Sequence, residues 1–205
     1  MLAELTIKEF LKKTASGSPV PGGGSVAALS AALAASLTEM VANLTIGKKG
    51  YEAVADEMKA VAQDALQFKH KLVQAIDNDS DAYKDVISAI RLPGNTETEK
   101  SHREKTIQNG LKQAVLIPMA VAEDATHVME LAGKTVAKGN KDTITDGAVG
   151  VMMAKTAVLS ALYNVKINLI SIKDNTFIDE ISKQVKDLET NALDREKVLL
   201  SSVDL

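Results

Sequence analysis

The chain has 205 residues, with 24 basic against 27 acidic side chains, three histidines and no cysteine. The near-balance of charge excludes a general nucleic-acid binder, which carries a basic surplus, and the missing cysteine excludes disulfide and thiolate chemistry. Aromatics make up 3% and alanine contributes 28 residues, a composition of closely packed helices rather than of a β-sandwich or a base-stacking surface.

The length fits one domain over residues 1–205. Residues 1–6 have neither a basic start nor an apolar run, so no secretory leader is expected and the cytoplasm is the expected location. Thr6 and Glu9 form a capping box, which predicts a short helix from Ile7 to about Ala15. Ser16 to Gly24, rich in glycine and proline, is a loop. A second helix is expected from Ser25 to Thr45. Glu39 is the one charge between Val26 and Ile46, but the many Ala, Ser and Thr residues suit a buried helix better than a bilayer span.

The third helix is predicted from Tyr51 to Arg91. Val54, Met58, Val61, Ala65, Phe68, Leu72, Ile76, Tyr83, Val86 and Ile90 recur at steps of three, four and seven, a helical stripe. Leu92 to Asn95 break it. Thr96 and Glu99 form a second capping box and open a fourth helix to about Lys138, with an expected kink at Pro118. A fifth helix, apolar nearly all round and therefore central, is expected from Thr145 to Ile172, with Lys155 and Lys166 on one edge. A charged amphipathic helix follows to about Leu200. The fold class is an all-α bundle of about six helices, several of them long, and helices of that length suggest a homodimer.

Metal chemistry finds no support in the sequence. His70, His102 and His127 have no ligand spacing, and the acidic run from Asp77 to Asp81 lacks the glycine and the glutamate of a calcium loop. Two other acids stand out. Asp79 lies on the third helix's apolar stripe, three residues after Ile76 and four before Tyr83. Asp146 precedes Val149, Met153, Thr156, Ser160 and Tyr163 on the fifth helix, where a helix-capping role competes with a functional one. A buried, unpaired carboxylate has a raised pKa, which suits general acid–base catalysis near neutrality. Asn43, Asn164 and Asn168 are amides on apolar helices that either bridge helices or read a polar heterocycle. Gly22, Gly23, Gly24 and Ser25 present backbone N–H groups at a helix start, for an anion, for a polar ligand edge, or simply for close packing.

Taken together, these segments resemble the formiminotetrahydrofolate cyclodeaminase family, which also includes methenyltetrahydrofolate cyclohydrolases. The matching stretches, in order, are Pro21 to Val26, Thr45 with Gly47-Lys48, Asp77 and Asp79 with Ala82-Tyr83, Arg91 to Pro93, Gly139-Asn140, Asp146, and Tyr163 to Leu169. Ser80 and Thr145 depart mildly from the pattern, and no histidine here matches the one with a catalytic role in the animal enzyme.

The resemblance implies an all-helical, dimeric enzyme whose substrate is a one-carbon-substituted tetrahydrofolate, with or without a polyglutamate tail, and no metal, redox cofactor, nucleic acid or membrane. In the cyclodeaminase reaction N10 attacks the 5-formimino carbon, ammonia leaves, and 5,10-methenyltetrahydrofolate forms. The resemblance gives Asp79 the proton transfer and Asp146 the second carboxylate. Asn43, Asn164 and Asn168 would hold the pterin, Gly22 to Ser25 and Tyr83 would line the pocket, and Lys48 would meet the glutamate tail. The rival within the family is cyclohydrolase action, the hydrolysis of the methenyl compound to 10-formyltetrahydrofolate in the same pocket. The rival from another class is a non-catalytic helical assembly module.

Overall fold

The computed structural model describes residues 1–203. Six α-helices follow in order: α1 Ile7–Thr14, α2 Gly23–Thr45, α3 Ala55–Ile90, α4 Glu97–Lys138, α5 Ile144–Leu169 and α6 Asn175–Leu200. Single 3₁₀ turns sit at Leu2–Glu4, Glu52–Val54 and Lys141–Thr143, and there are no strands among the described residues.

Both expected capping boxes start their helices. The Thr6 hydroxyl accepts from the Glu9 N–H and Glu9 accepts from the Thr6 N–H; Thr96 and Glu99 do the same for α4. Each box satisfies two backbone donors that the first turn leaves unpaired. The third helix begins later than expected, because Glu52–Val54 winds as a 3₁₀ turn first. The fifth stops at Leu169 rather than Ile172. Pro118 lies buried within α4, which continues through it.

Long-range contacts fix the directions of the helices. Ser25 meets Asp79 and Glu39 meets Lys69, so α2 and α3 run antiparallel. Gly23 faces Asn164, while Gly150 faces Thr38 and Ala34, so α5 is antiparallel to α2 as well. Gly147 against Thr135 and Asn168 against Ala114 set α4 antiparallel to α5. The result is an up-down-up-down bundle of α2 to α5 with α6 laid against α4 and α5.

Alanine makes the centre. Ala28, Ala31, Ala34 and Ala35 of α2 and Ala154, Ala157 and Ala161 of α5 have no exposed surface, which lets the backbones approach closely. By length and composition Gly23–Thr45 and Lys141–Leu169 are each apolar enough to cross a membrane, and half or more of each is buried within the bundle. Lys155 and Lys166 lie on one edge of α5 and pair with Glu196 and Glu189 of α6 at 2.6 and 2.8 Å.

Two stripes read from the sequence take a different role. On α3 the buried series Met58, Val61, Ala65, Leu72 and Ile76 shifts to Ser80, Ala82 and Ala89, leaving Tyr83 and Ile90 exposed. On α5 the series Val149, Thr156 and Tyr163 faces outward, not into the core. In both cases a helical period identifies a face without saying what covers it.

Candidate functional site

A cavity of about 310 Å³ opens where α2 begins. Its walls come from Pro19, Val20 and Gly22 to Gly24, from Asp79, Ala82, Tyr83 and Val86 on α3, from Leu111 and Ala114 on α4, and from Asn164 and Asn168 on α5. The stretch of α3 stripe beyond Ile76 therefore lines this cavity instead of the core. The volume is that of a small-molecule site, apolar walls with a few convergent polar groups.

Asp79 is its one ionisable wall group apart from the phenol of Tyr83. Its Oδ2 accepts from the Ser25 N–H at 3.0 Å. The buried Ser25 hydroxyl lies 3.2 Å from the same oxygen and 2.8 Å from the Ile76 carbonyl. A hydroxyl has one proton and two lone pairs, so Ser25 donates to one of these acceptors at a time. Asp79 Oδ1 has no hydrogen-bond partner among the described residues, and no side-chain polar atom there is both buried and unpaired. Oδ1 therefore reaches open space in the cavity.

Burial pushes the Asp79 pKa above the ordinary carboxylate value, and the two hydrogen bonds from Ser25 pull it part of the way back. A carboxylate held this way is suited to exchange protons.

The glycines are required by this contact. A Cβ on Gly24 would sit 1.9 Å from Asp79 Oδ1. One on Gly23 would sit 3.1 Å from the Asn164 amide nitrogen. Gly22 takes the N-cap position without any side-chain cap, and Ser25 N–H is committed to Asp79. The first-turn N–H groups of Gly23 and Gly24 remain at the cavity wall. Asn164 Nδ2 donates to the Ser160 carbonyl and Asn168 Nδ2 to the Ala114 carbonyl, at 2.9 and 2.7 Å. With the amides in this orientation, each carbonyl oxygen and the second N–H of each amide are left for a ligand. Tyr83 stands at the mouth, 42% exposed.

Of the expected site residues, Asp79, Gly22 to Ser25, Tyr83, Asn164 and Asn168 gather here. Asn43, Lys48 and Asp146 do not. They belong to the other end of the bundle, because Ser25 and Thr45 are separated by about 30 Å of helix at 1.5 Å per residue. Asn43 is exposed on α2. Lys48 donates to Asn140 Oδ1 at 2.6 Å and pairs with Asp142. Asp146 lies half-buried in the first turn of α5 and caps nothing, since Thr143 holds the N-cap.

Sequence reasoning gave Asp77 no role. Its carboxylate accepts from the Leu2 and Ala3 N–H groups at 2.6 and 3.2 Å, fastening the N-terminal turn to α3 two residues before Asp79. The Asp-x-Asp spacing was the available signal, since a step of two puts neighbouring acids on different helix faces.

Fold and cavity together define an all-helical domain with one carboxylate in a cavity of small-molecule size. The formiminotransferase-cyclodeaminase profile matches residues 6–187. The chain is 38% identical over 192 residues to a methenyltetrahydrofolate cyclohydrolase of Methylorubrum extorquens, covering 94% of this chain and 92% of that one. It is 30% identical over 203 residues to the formimidoyltransferase-cyclodeaminase of Rattus norvegicus, of whose length it spans 38%. The crystal structure of formiminotetrahydrofolate cyclodeaminase from Thermotoga maritima superposes with a TM-score of 0.88 at 29% identity, covering 98% of this chain and 97% of that one. The chain belongs to the formiminotransferase-cyclodeaminase family.

Proposed function

We propose that this protein opens and closes the one-carbon bridge between N5 and N10 of tetrahydrofolate, acting in the cytoplasm as a 5,10-methenyltetrahydrofolate cyclohydrolase. The observation that carries this reading is Asp79 Oδ1, a carboxylate oxygen of raised pKa facing a cavity that holds no second carboxylate. Hydration of the methenyl carbon needs one such group. Oδ1 takes a proton from the attacking water as its oxygen bonds to the carbon. It then returns that proton to N5 as the carbon–N5 bond breaks, and the remaining hydroxyl proton leaves to solvent as the carbonyl forms, so the formyl group stays on N10 and one proton is released overall. The carboxylate also offsets the positive charge of the methenyl substrate before attack. The amide oxygens of Asn164 and Asn168 accept from the pterin N–H edge, and the N–H groups of Gly23 and Gly24 donate to its carbonyl. Lys48 and Asp146 take no part within one subunit.

Kinship to the Thermotoga maritima cyclodeaminase at full coverage favours a second reading in the same pocket. There N10 attacks the formimino carbon, Asp79 passes the N10 proton to the formimino nitrogen, and a second proton taken up from solvent lets that nitrogen leave as ammonia while the methenyl cation forms. Purified protein decides between them. Loss of methenyl absorbance well above the spontaneous rate supports hydrolysis, and its appearance from 5-formiminotetrahydrofolate supports deamination. Neither change would refute both.

The Ser25 contacts make a pH prediction. Only ionised Asp79 accepts the first proton, so turnover falls as pH drops through its pKa. Ser25→Ala removes the hydroxyl, one of the bonds that lower that pKa. The acid limb of the pH–rate profile should move to higher pH, with the plateau rate reduced less than the rate at acid pH. An unmoved limb would assign it to another group.

A further inference from the structure

The cavity lining contains no lysine, arginine or histidine, yet a folate ends in a glutamate with two carboxylates. The neighbouring part of α3 worsens the mismatch. Asp77, Asp81 and Asp85 join Asp79 there, against Lys84, which is already paired with Asp81. Lysines are available at the opposite end of the bundle, where Lys48, Lys49 and Lys141 stand against Glu52 and Asp142 in the α2–α3 and α4–α5 turns. Lys48 is tied to Asp142 there, whereas the side chains of Lys49 and Lys141 engage no carboxylate among the described residues.

The face joining these two ends is apolar. Val26, Leu33 and Met40 are exposed at seven-residue steps along α2, and Val149, Met152 and Tyr163 along the outward side of α5. Seven-residue steps are the seam of helix pairing. A two-fold axis across this face makes the helices of two copies antiparallel, and each contact then occurs twice. The lysine-bearing turns of one copy come against the acidic, cavity-bearing end of the other. Pairing in the parallel sense would set acid against acid.

We propose that a second copy of this chain docks on the α2–α5 face and that the substrate's glutamate is held in trans, by Lys49 and Lys141 of the partner subunit. This rests on the folate reading above. It makes the site complete only in the dimer, and it places the expected tail-binding role at the turn that contains Lys48, reached across the interface instead of within one subunit.

Mixed dimers test it. Lys49→Glu/Lys141→Glu should raise KM for a glutamyl folate by about tenfold or more with kcat held, and should leave a substrate lacking the glutamate unaffected. Asp79→Asn by itself should lose turnover by about 100-fold or more. Co-expressing the two variants makes about half of the dimers mixed, each with one site intact in both parts, so about a quarter of wild-type sites should regain wild-type KM. A site within one subunit gives no recovery, because every subunit then carries a defect; that result, or a monomeric wild-type protein in sedimentation, overturns the proposal. If the wild type turns over no folate, the functional reading fails and this inference with it. If the wild type is active and the mixture shows no sites of wild-type KM, only the inference fails.

Discussion

Alanine at position 24 is expected to stop turnover and lower the melting temperature, although by local rules it should help. Gly24 lies in the first turn of α2 and has no positive φ. Elsewhere in a helix glycine to alanine gains about 1 kcal/mol. Here the added carbon would sit 1.9 Å from Asp79 Oδ1 and 2.4 Å from its Cγ. Either the carboxylate leaves Ser25 or α2 moves off α3. Overpacking of this kind costs about 1–3 kcal/mol, or about 3–10 °C in a domain of this size. Turnover should fall about 100-fold or more, since Asp79 loses its position for proton transfer.

A graded series isolates the cause. Gly17→Ala meets nothing within 4 Å and should be silent. Gly23→Ala presses on the Asn164 side chain at 3.1 Å and should mainly raise KM. In the Gly24→Ala background, Asp79→Ala removes the colliding group and should recover the melting temperature without activity. A melting temperature that stays low in the double variant would place the strain somewhere other than this contact.

The legible parts of the molecule were those fixed by local chemistry. Thr6 with Glu9 and Thr96 with Glu99 satisfy nearby backbone donors, so both helix starts could be read from four residues. The alanines of α2 announced close packing because nothing larger would fit between two approaching backbones. The meeting of Asp79 with Gly24 and Ser25 was legible only as an ordered motif, since it joins residues 54 positions apart. Asp146 illustrates the limit. Its stripe gave a face of α5, but that face is the outer one, because neighbours and not periodicity decide what is covered. Lys48 lies away from Asp79 within one subunit, beside Asn140 and Asp142, for a reason the sequence did contain. Once Ser25 is set beside Asp79, the length of α2 alone sends Lys48 to the far end.

Asp79→Asn should lose turnover by about 100-fold or more while making the fold more stable at neutral pH. The sign follows from linkage. Burial raises the pKa of Asp79 in the folded chain above its unfolded value. Between those two values the folded state binds more protons than the unfolded one, so stability falls as pH rises through that window. Above the folded pKa the whole penalty of a partly buried charge is present. Asparagine removes that charge, and its amide oxygen still accepts from the Ser25 N–H, so the α2–α3 contact survives. The melting temperature of the variant should therefore exceed that of the wild type at neutral pH, and the difference should shrink as pH falls towards the ordinary aspartate range. A purely structural Asp79 predicts the reverse, a variant less stable than the wild type at neutral pH. Near-wild-type turnover would remove Asp79 from the reaction altogether. Lost activity combined with gained stability is the expected signature of a carboxylate held in an unfavourable setting for its chemistry.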